Sequence, residues 1–231
     1  MIENIFTPEE LANFDRIRDS NRSIEQCVCC FFTREEYILG NPSPSYGKIG
    51  TIAGKVEKDE SLVKAIIRET NEEAMIRIDP ANLGDSVISY EEIKGSLYKS
   101  HSFRSNLPKE FQPKLPTSDT NLEGLPILIH KDAISLMELY GFNPPNNSSL
   151  MSWALGIERV VLNCVEDSND NQTKAFGDFL ESLEESMRQI NERGIILDQT
   201  IADQYRPKLE IKIKGVKDFQ QKIQELRDIF N

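Results

Sequence analysis

Residues 54–76 read GKVEKDESLVKAIIRETNEEAMI, and the fold turns on how the charges in this stretch are spaced. Wound at about 3.6 residues per turn, Leu62, Val63, Ala65, Ile66, Ile67, Thr70 and Ala74 form one broad apolar arc, while Ser61, Lys64, Arg68 and Asn71 point the other way. Glu69 and Glu73 fall inside the apolar arc, and Glu72 lies at its edge. A solvated acidic stripe belongs opposite the apolar face, so carboxylates on the inward side call for something there to compensate them. At i, i+3 and i+4 the three are also mutual neighbours that repel one another and raise each other's pKa. A bound divalent cation removes that penalty. Donors that are all oxygen suit a hard ion, so Mg²⁺ or Mn²⁺ is the expected cofactor.

The spacing also matches a family pattern. Gly54, five residues, Glu60, seven residues and then Arg68-Glu69-Thr70-Asn71-Glu72-Glu73 resembles the Nudix box, G-x5-E-x7-R-E-U-x-E-E-x-G-U with U a bulky aliphatic residue, and Ile76 supplies the last U. Thr70 departs from the usual aliphatic, although its methyl can pack. Met75 stands where the family has the glycine that permits a tight left-handed turn after the helix.

Around the box, Thr7-Pro8-Glu9-Glu10 is a capping box opening a short amphipathic helix, and Ile24–Phe32 and Tyr37–Leu39 read as strands. Residues 41–50 read as a proline-rich loop. Thr51–Val56 is a strand leading into the box helix, for which Asp59 is the expected N-cap. Weaker strands follow at Val87–Tyr90 and Leu97–Phe103, then a proline-containing loop to Asn121, a strand at Leu125–His130 and a helix at Ala133–Tyr140. The resemblance implies an α/β fold, a Nudix-type α/β/α sandwich with a mixed sheet, over residues 1–142. Asn143–Asn147 is the expected boundary, and residues 143–231 form a mostly helical C-terminal extension: an apolar helix over Leu150–Val165, a long helix over Lys174–Arg193, a strand around Leu209, Ile211 and Ile213, and a final helix over Val216–Phe230. The stripe Phe176, Phe179, Leu180, Leu183, Met187 and Ile190 reads as core or as the surface of a homodimer.

The 231 residues carry 38 acidic and 27 basic side chains, a net charge of -11, which argues against general nucleic-acid binding. An anionic phosphate substrate is still compatible when metal ions bridge the two. The N-terminus lacks the order of a signal peptide and no apolar run is long enough for a membrane span, so the expected location is cytoplasmic. Cys27, Cys29, Cys30 and Cys164 read as reduced thiols, because no second ligand pair stands at zinc spacing.

The resemblance implies a pyrophosphohydrolase acting on a nucleoside diphosphate linked to another group. Glu69, Glu72 and Glu73 would hold the metal with the Gly54 carbonyl, Arg68 would orient the carboxylates, and Glu60 would be its partner. Asp119 and Glu123 are candidates for an additional base, with Glu91 and Glu92 behind them. Tyr46, Lys48 and Arg104 are candidate substrate contacts, by stacking on a base or meeting phosphate. The other expectation is a Nudix-like sensor that binds a nucleotide without turnover and signals through the C-terminal helices.

Overall fold

The computed structural model describes residues 5–43, 48–93, 95–114, 125–142, 147–192 and 212–221. Helix α1 (Pro8–Arg18) begins with the expected reciprocal cap: the Glu10 N–H donates to Thr7 Oγ1 at 3.2 Å and the Thr7 N–H to Glu10 Oε2 at 2.7 Å. The dense β-branched and aromatic run that follows is the central strand β1 (Ile24–Arg34). Along one edge it pairs in parallel with β6 (Ser96–Asn106), from Ile24 opposite Leu97 to Thr33 opposite Asn106. Its other edge is shared antiparallel by β4 (Ile52–Lys55), with Val28 opposite Gly54, and by β2 (Tyr37–Ser43), with Thr33 opposite Ile38. Outside these lie β5 (Val87–Ile93) on β6, and β3 (Lys48–Gly50) and β7 (Ile127–His130) on β2. Among the described residues the sheet has seven strands and is mixed.

Side chains of a strand alternate between faces, and β1 sorts them cleanly. Val28, Cys30 and Phe32 join Ile52, Ala65, Ile66, Ala74, Ile76 and Phe103 in a core beneath helix α2 (Leu62–Ala74). Phe31, together with Ile38, Ile127 and Ile129, faces a second core built with α3 (Ile134–Leu139), α4 (Asn147–Leu155) and α5 (Asp170–Glu192). This is an α/β/α sandwich. The second core runs without interruption from Phe6 to Val216, so the C-terminal helices pack on the sheet itself. Phe176, Phe179, Leu180, Leu183 and Met187 are buried there, which uses up that part of the stripe within one chain and removes it as a dimer surface.

Several boundaries differ from the sequence reading. The apolar helix stops at Leu155 rather than Val165, because Gly156 takes the left-handed conformation (φ 67°) and the Ile157 N–H turns back to the Ser152 carbonyl at 3.0 Å; Val160 and Val161 beyond it are exposed. Ile213 lies in a helical segment, 212–221, and not in a strand, since Ile213 and Val216 at helical spacing both enter the second core; Leu209 and Ile211 are outside the described residues. The ends of the presumed loop 41–50 pair as β2 and β3. No described helix is long and apolar enough to cross a membrane.

Candidate active site

Two local features aim α2. Ser61, not Asp59, caps it, accepting from the Lys64 N–H at 3.3 Å, while Asp59 occupies a left-handed turn (φ 64°) before the helix. At the other end Met75 is left-handed (φ 55°, ψ 28°), and the N–H groups of Met75 and Ile76 return to Asn71 and Thr70 at 3.2 and 3.0 Å. The turn normally given to glycine is therefore made by methionine. Its side chain stays 45% exposed while Ile76 is buried.

Arg68 is the hub of the site. Nε donates to Glu60 Oε1 at 3.1 Å and Nη2 to Glu60 Oε2 at 3.0 Å, and Nη2 also reaches the Lys55 carbonyl at 2.9 Å. Nη1 donates to Glu69 Oε1 at 2.6 Å and to Glu72 Oε2 at 3.4 Å. A helical wheel assigns Arg68 to the outer face, yet its length carries the guanidinium back over the end of β4, where it is three-quarters covered. The fork-to-fork pair holds the Glu60 carboxyl below the usual carboxylate range.

Glu69 and Glu73 are buried, at 8% and 9% exposure, and Glu72 is exposed. Burial raises the Glu69 carboxyl above its ordinary range despite the Arg68 contact. Its carboxylate fits against β4 because position 54 has no side chain: a Cβ there would fall on Glu69 Oε1, far inside the 3.0 Å that real Cβ atoms keep. Glu73 Oε2 accepts from the Ala53 N–H at 3.1 Å and from Asn41 Nδ2 at 3.3 Å. The tip of β4 thus collects Glu69 and Glu73, with Arg68 lying between Glu69 and Glu72. Among the described residues no three carboxylate, histidine or cysteine side chains converge on one point, and Arg68 bridges Glu69 and Glu72. The donor set, all carboxylate oxygen beside a backbone left open by glycine, fits a hard divalent ion.

The other expected site residues are scattered. Arg104 is exposed, with its guanidinium over the Trp153 ring at 5.7 Å from the centroid, and Trp153 meets Phe31 edge-on. Helix α4 thus covers the end of the sheet face on which Arg104 lies, and the structure does not bring Arg104 to the carboxylates. Lys48 belongs to β3, although its side chain is outside the described residues, as are Tyr46, Asp119 and Glu123 entirely. Glu92 is tied to Arg22 and Arg16 of the N-terminal segment at 2.8 and 3.5 Å. Glu91 accepts from Ser100 Oγ at 3.4 Å, and its charge is felt at Cys27 and Cys29 on the neighbouring strand. Burial pushes the Cys27 thiol up to about 11 and Cys29 to about 12, which disfavours the nucleophilic thiolate at neutral pH. Asn41 was missed from the sequence because an Asn-Pro pair signals a turn and says nothing of a buried amide.

A mixed sheet between helices, with a glycine-seated carboxylate helix at the tip of β4, is a Nudix-type fold. The NUDIX domain model matches residues 23–137, and the chain carries a Nudix domain there. No curated protein is similar enough to count as a relative. Similar solved structures include a NUDIX family hydrolase from Clostridium perfringens, 13% identical over 58% of this chain and 98% of that one, with a TM-score of 0.46. The Ap4A hydrolase of C. elegans is 17% identical over 58% and 97%, TM-score 0.41. A bifunctional NMN adenylyltransferase/ADP ribose pyrophosphatase from Francisella tularensis, solved with AMP and a Mn ion, is 15% identical over 64% and 47%, TM-score 0.47.

Proposed function

We propose that the protein is a Mg²⁺- or Mn²⁺-dependent hydrolase that cleaves the diphosphate of a nucleoside diphosphate linked to another group. The observation that carries this reading is the Gly54–Glu69 fit, in which the strand gives up a side chain to admit a buried carboxylate. Glu69, Glu72, Glu73 and the Gly54 carbonyl are the proposed holders of the ion, which when bound neutralises charge on the phosphate oxygens. Arg68 orients Glu69 and Glu72, and Glu60 anchors Arg68. One of the three carboxylates takes the proton of the attacking water. Tyr46 and Lys48 are proposed for substrate binding, with Arg104 contributing from its place on Trp153. The free cysteines suit a reducing, cytoplasmic setting.

The test is to incubate the full chain with Mg²⁺ or Mn²⁺ and ADP-ribose, NAD, dinucleoside polyphosphates or nucleoside triphosphates, beside Glu73→Gln. Metal-dependent release of a nucleotide, reduced at least about 100-fold in the variant, supports the reading. Turnover that Glu73→Gln leaves unchanged contradicts the site. Nucleotide binding with no turnover favours a sensor.

A further inference from the structure

We propose that Asn41 is a positioning residue for Glu73, coupling the β2–β3 hairpin to the metal-holding helix. The inference rests on the reading of Glu73 as a metal ligand. Asn41 is 2% exposed, and its side-chain amide nitrogen finds a charged partner at that depth. Its Nδ2 donates to Glu73 Oε2 across the sheet–helix interface, thirty-two residues away in sequence, and the Ala53 N–H donates to the same oxygen. Two donors converging from different strands on one carboxylate oxygen fix both the rotamer and the rotation of that carboxylate.

The local sequence sets this aim. Pro42 confines Asn41 to extended backbone, so the amide direction follows from the strand. The hairpin is itself anchored, with Asn41 opposite Gly50 and the Ile49 N–H donating to the Phe142 carbonyl at 3.2 Å beyond α3. The side chain must be a donor. Aspartate, of the same shape, would place a second carboxylate against Glu73.

A role in metal positioning and a role in mere packing differ in what they move. Losing the buried amide lowers the melting temperature in either case, so the readout that separates the two is the metal affinity of the folded protein. The experiment titrates Mn²⁺ into the full chain and reads free Mn²⁺ by electron paramagnetic resonance, for wild type, Glu73→Gln, Asn41→Ala and Asn41→Asp, with a melting curve of each metal-free protein. The expected result is a dissociation constant raised roughly 10-fold in Asn41→Ala and further in Asn41→Asp. Affinity within twofold of wild type in either folded variant overturns the proposal. A wild type that binds no Mn²⁺ instead overturns the metal reading beneath it. Where neither variant folds, the wild type still decides: the Asn41 side-chain amide signals, followed by nuclear magnetic resonance, shift with Mg²⁺ at the concentration that saturates the site, and signals that stay put overturn the assignment.

Discussion

The Glu69 carboxylate occupies the volume that a side chain on Gly54 would need. A side chain at position 54 therefore cannot be added without moving Glu69. Gly54→Ala forces Glu69 out of its buried seat, at a cost of about 1–3 kcal/mol for overpacking. Hydrolysis falls at least about 100-fold, since a proposed ligand is displaced outright. Steady-state kinetics beside a melting curve checks this, and a folded Gly54→Ala protein with wild-type turnover would show that Glu69 is not needed where it stands.

Arg68 and Glu60 form a bidentate pair that lysine cannot reproduce. Arg68→Lys keeps the charge but loses the fork, and with it the simultaneous reach to the Lys55 carbonyl, Glu69 and Glu72. Stability is expected to drop by about 1 kcal/mol, and the Mg²⁺ concentration for half-maximal activity to rise roughly 10-fold. A Mg²⁺ titration that superimposes on wild type would refute the orienting role.

Met75 holds a left-handed backbone at the exit of α2 while its side chain is largely exposed. Removing that strain costs little packing. Met75→Gly is therefore expected to stabilise the protein by about 1 kcal/mol, a rise in Tm of about 2–4 °C, without loss of activity. A lower Tm would mean that the methionine side chain packs more than its exposure indicates.

The buried thiols set an alkaline limit. In the unfolded chain a cysteine titrates near 9.0, whereas Cys27 and Cys29 are pushed to about 11 and 12 by burial. A raised folded pKa means that their contribution is fully present below pH 9 and is lost as pH rises through 11, because the unfolded state ionises first. Melting temperatures measured between pH 8 and 11 should fall accordingly. At pH 8 a thiol reagent should label the exposed Cys164 quickly, the half-buried Cys27 and Cys29 more slowly, and the buried Cys30 only on unfolding. Labelling of Cys30 in the native protein would contradict its burial.

The box helix and the strands around it were legible because their signals are local. Carboxylates inside an apolar arc stand out in any helical projection, and β1 is dense in β-branched and aromatic residues. What escaped the sequence depends on contacts between distant segments. Asn41 meets Glu73 only once β2 and β4 both pair with β1 and α2 packs over them, and Trp153 meets Arg104 only after α4 folds back on the sheet. Ile213 reads as a strand because a three-residue alternation looks the same whether or not Val216 is pulled into a core. Ser61 beat Asp59 as the cap because the chain needs a left-handed turn first, and Asp59 tolerates one.

The central claim is that Gly54, Glu69, Glu72 and Glu73 together hold a divalent cation, with Arg68 orienting the carboxylates. Anomalous diffraction from a crystal of the full chain soaked in Mn²⁺ tests it most directly. The account predicts a Mn²⁺ peak within about 2.0–2.4 Å of carboxylate oxygens of this helix and of the Gly54 carbonyl. A peak elsewhere, or none at saturating Mn²⁺, would contradict it.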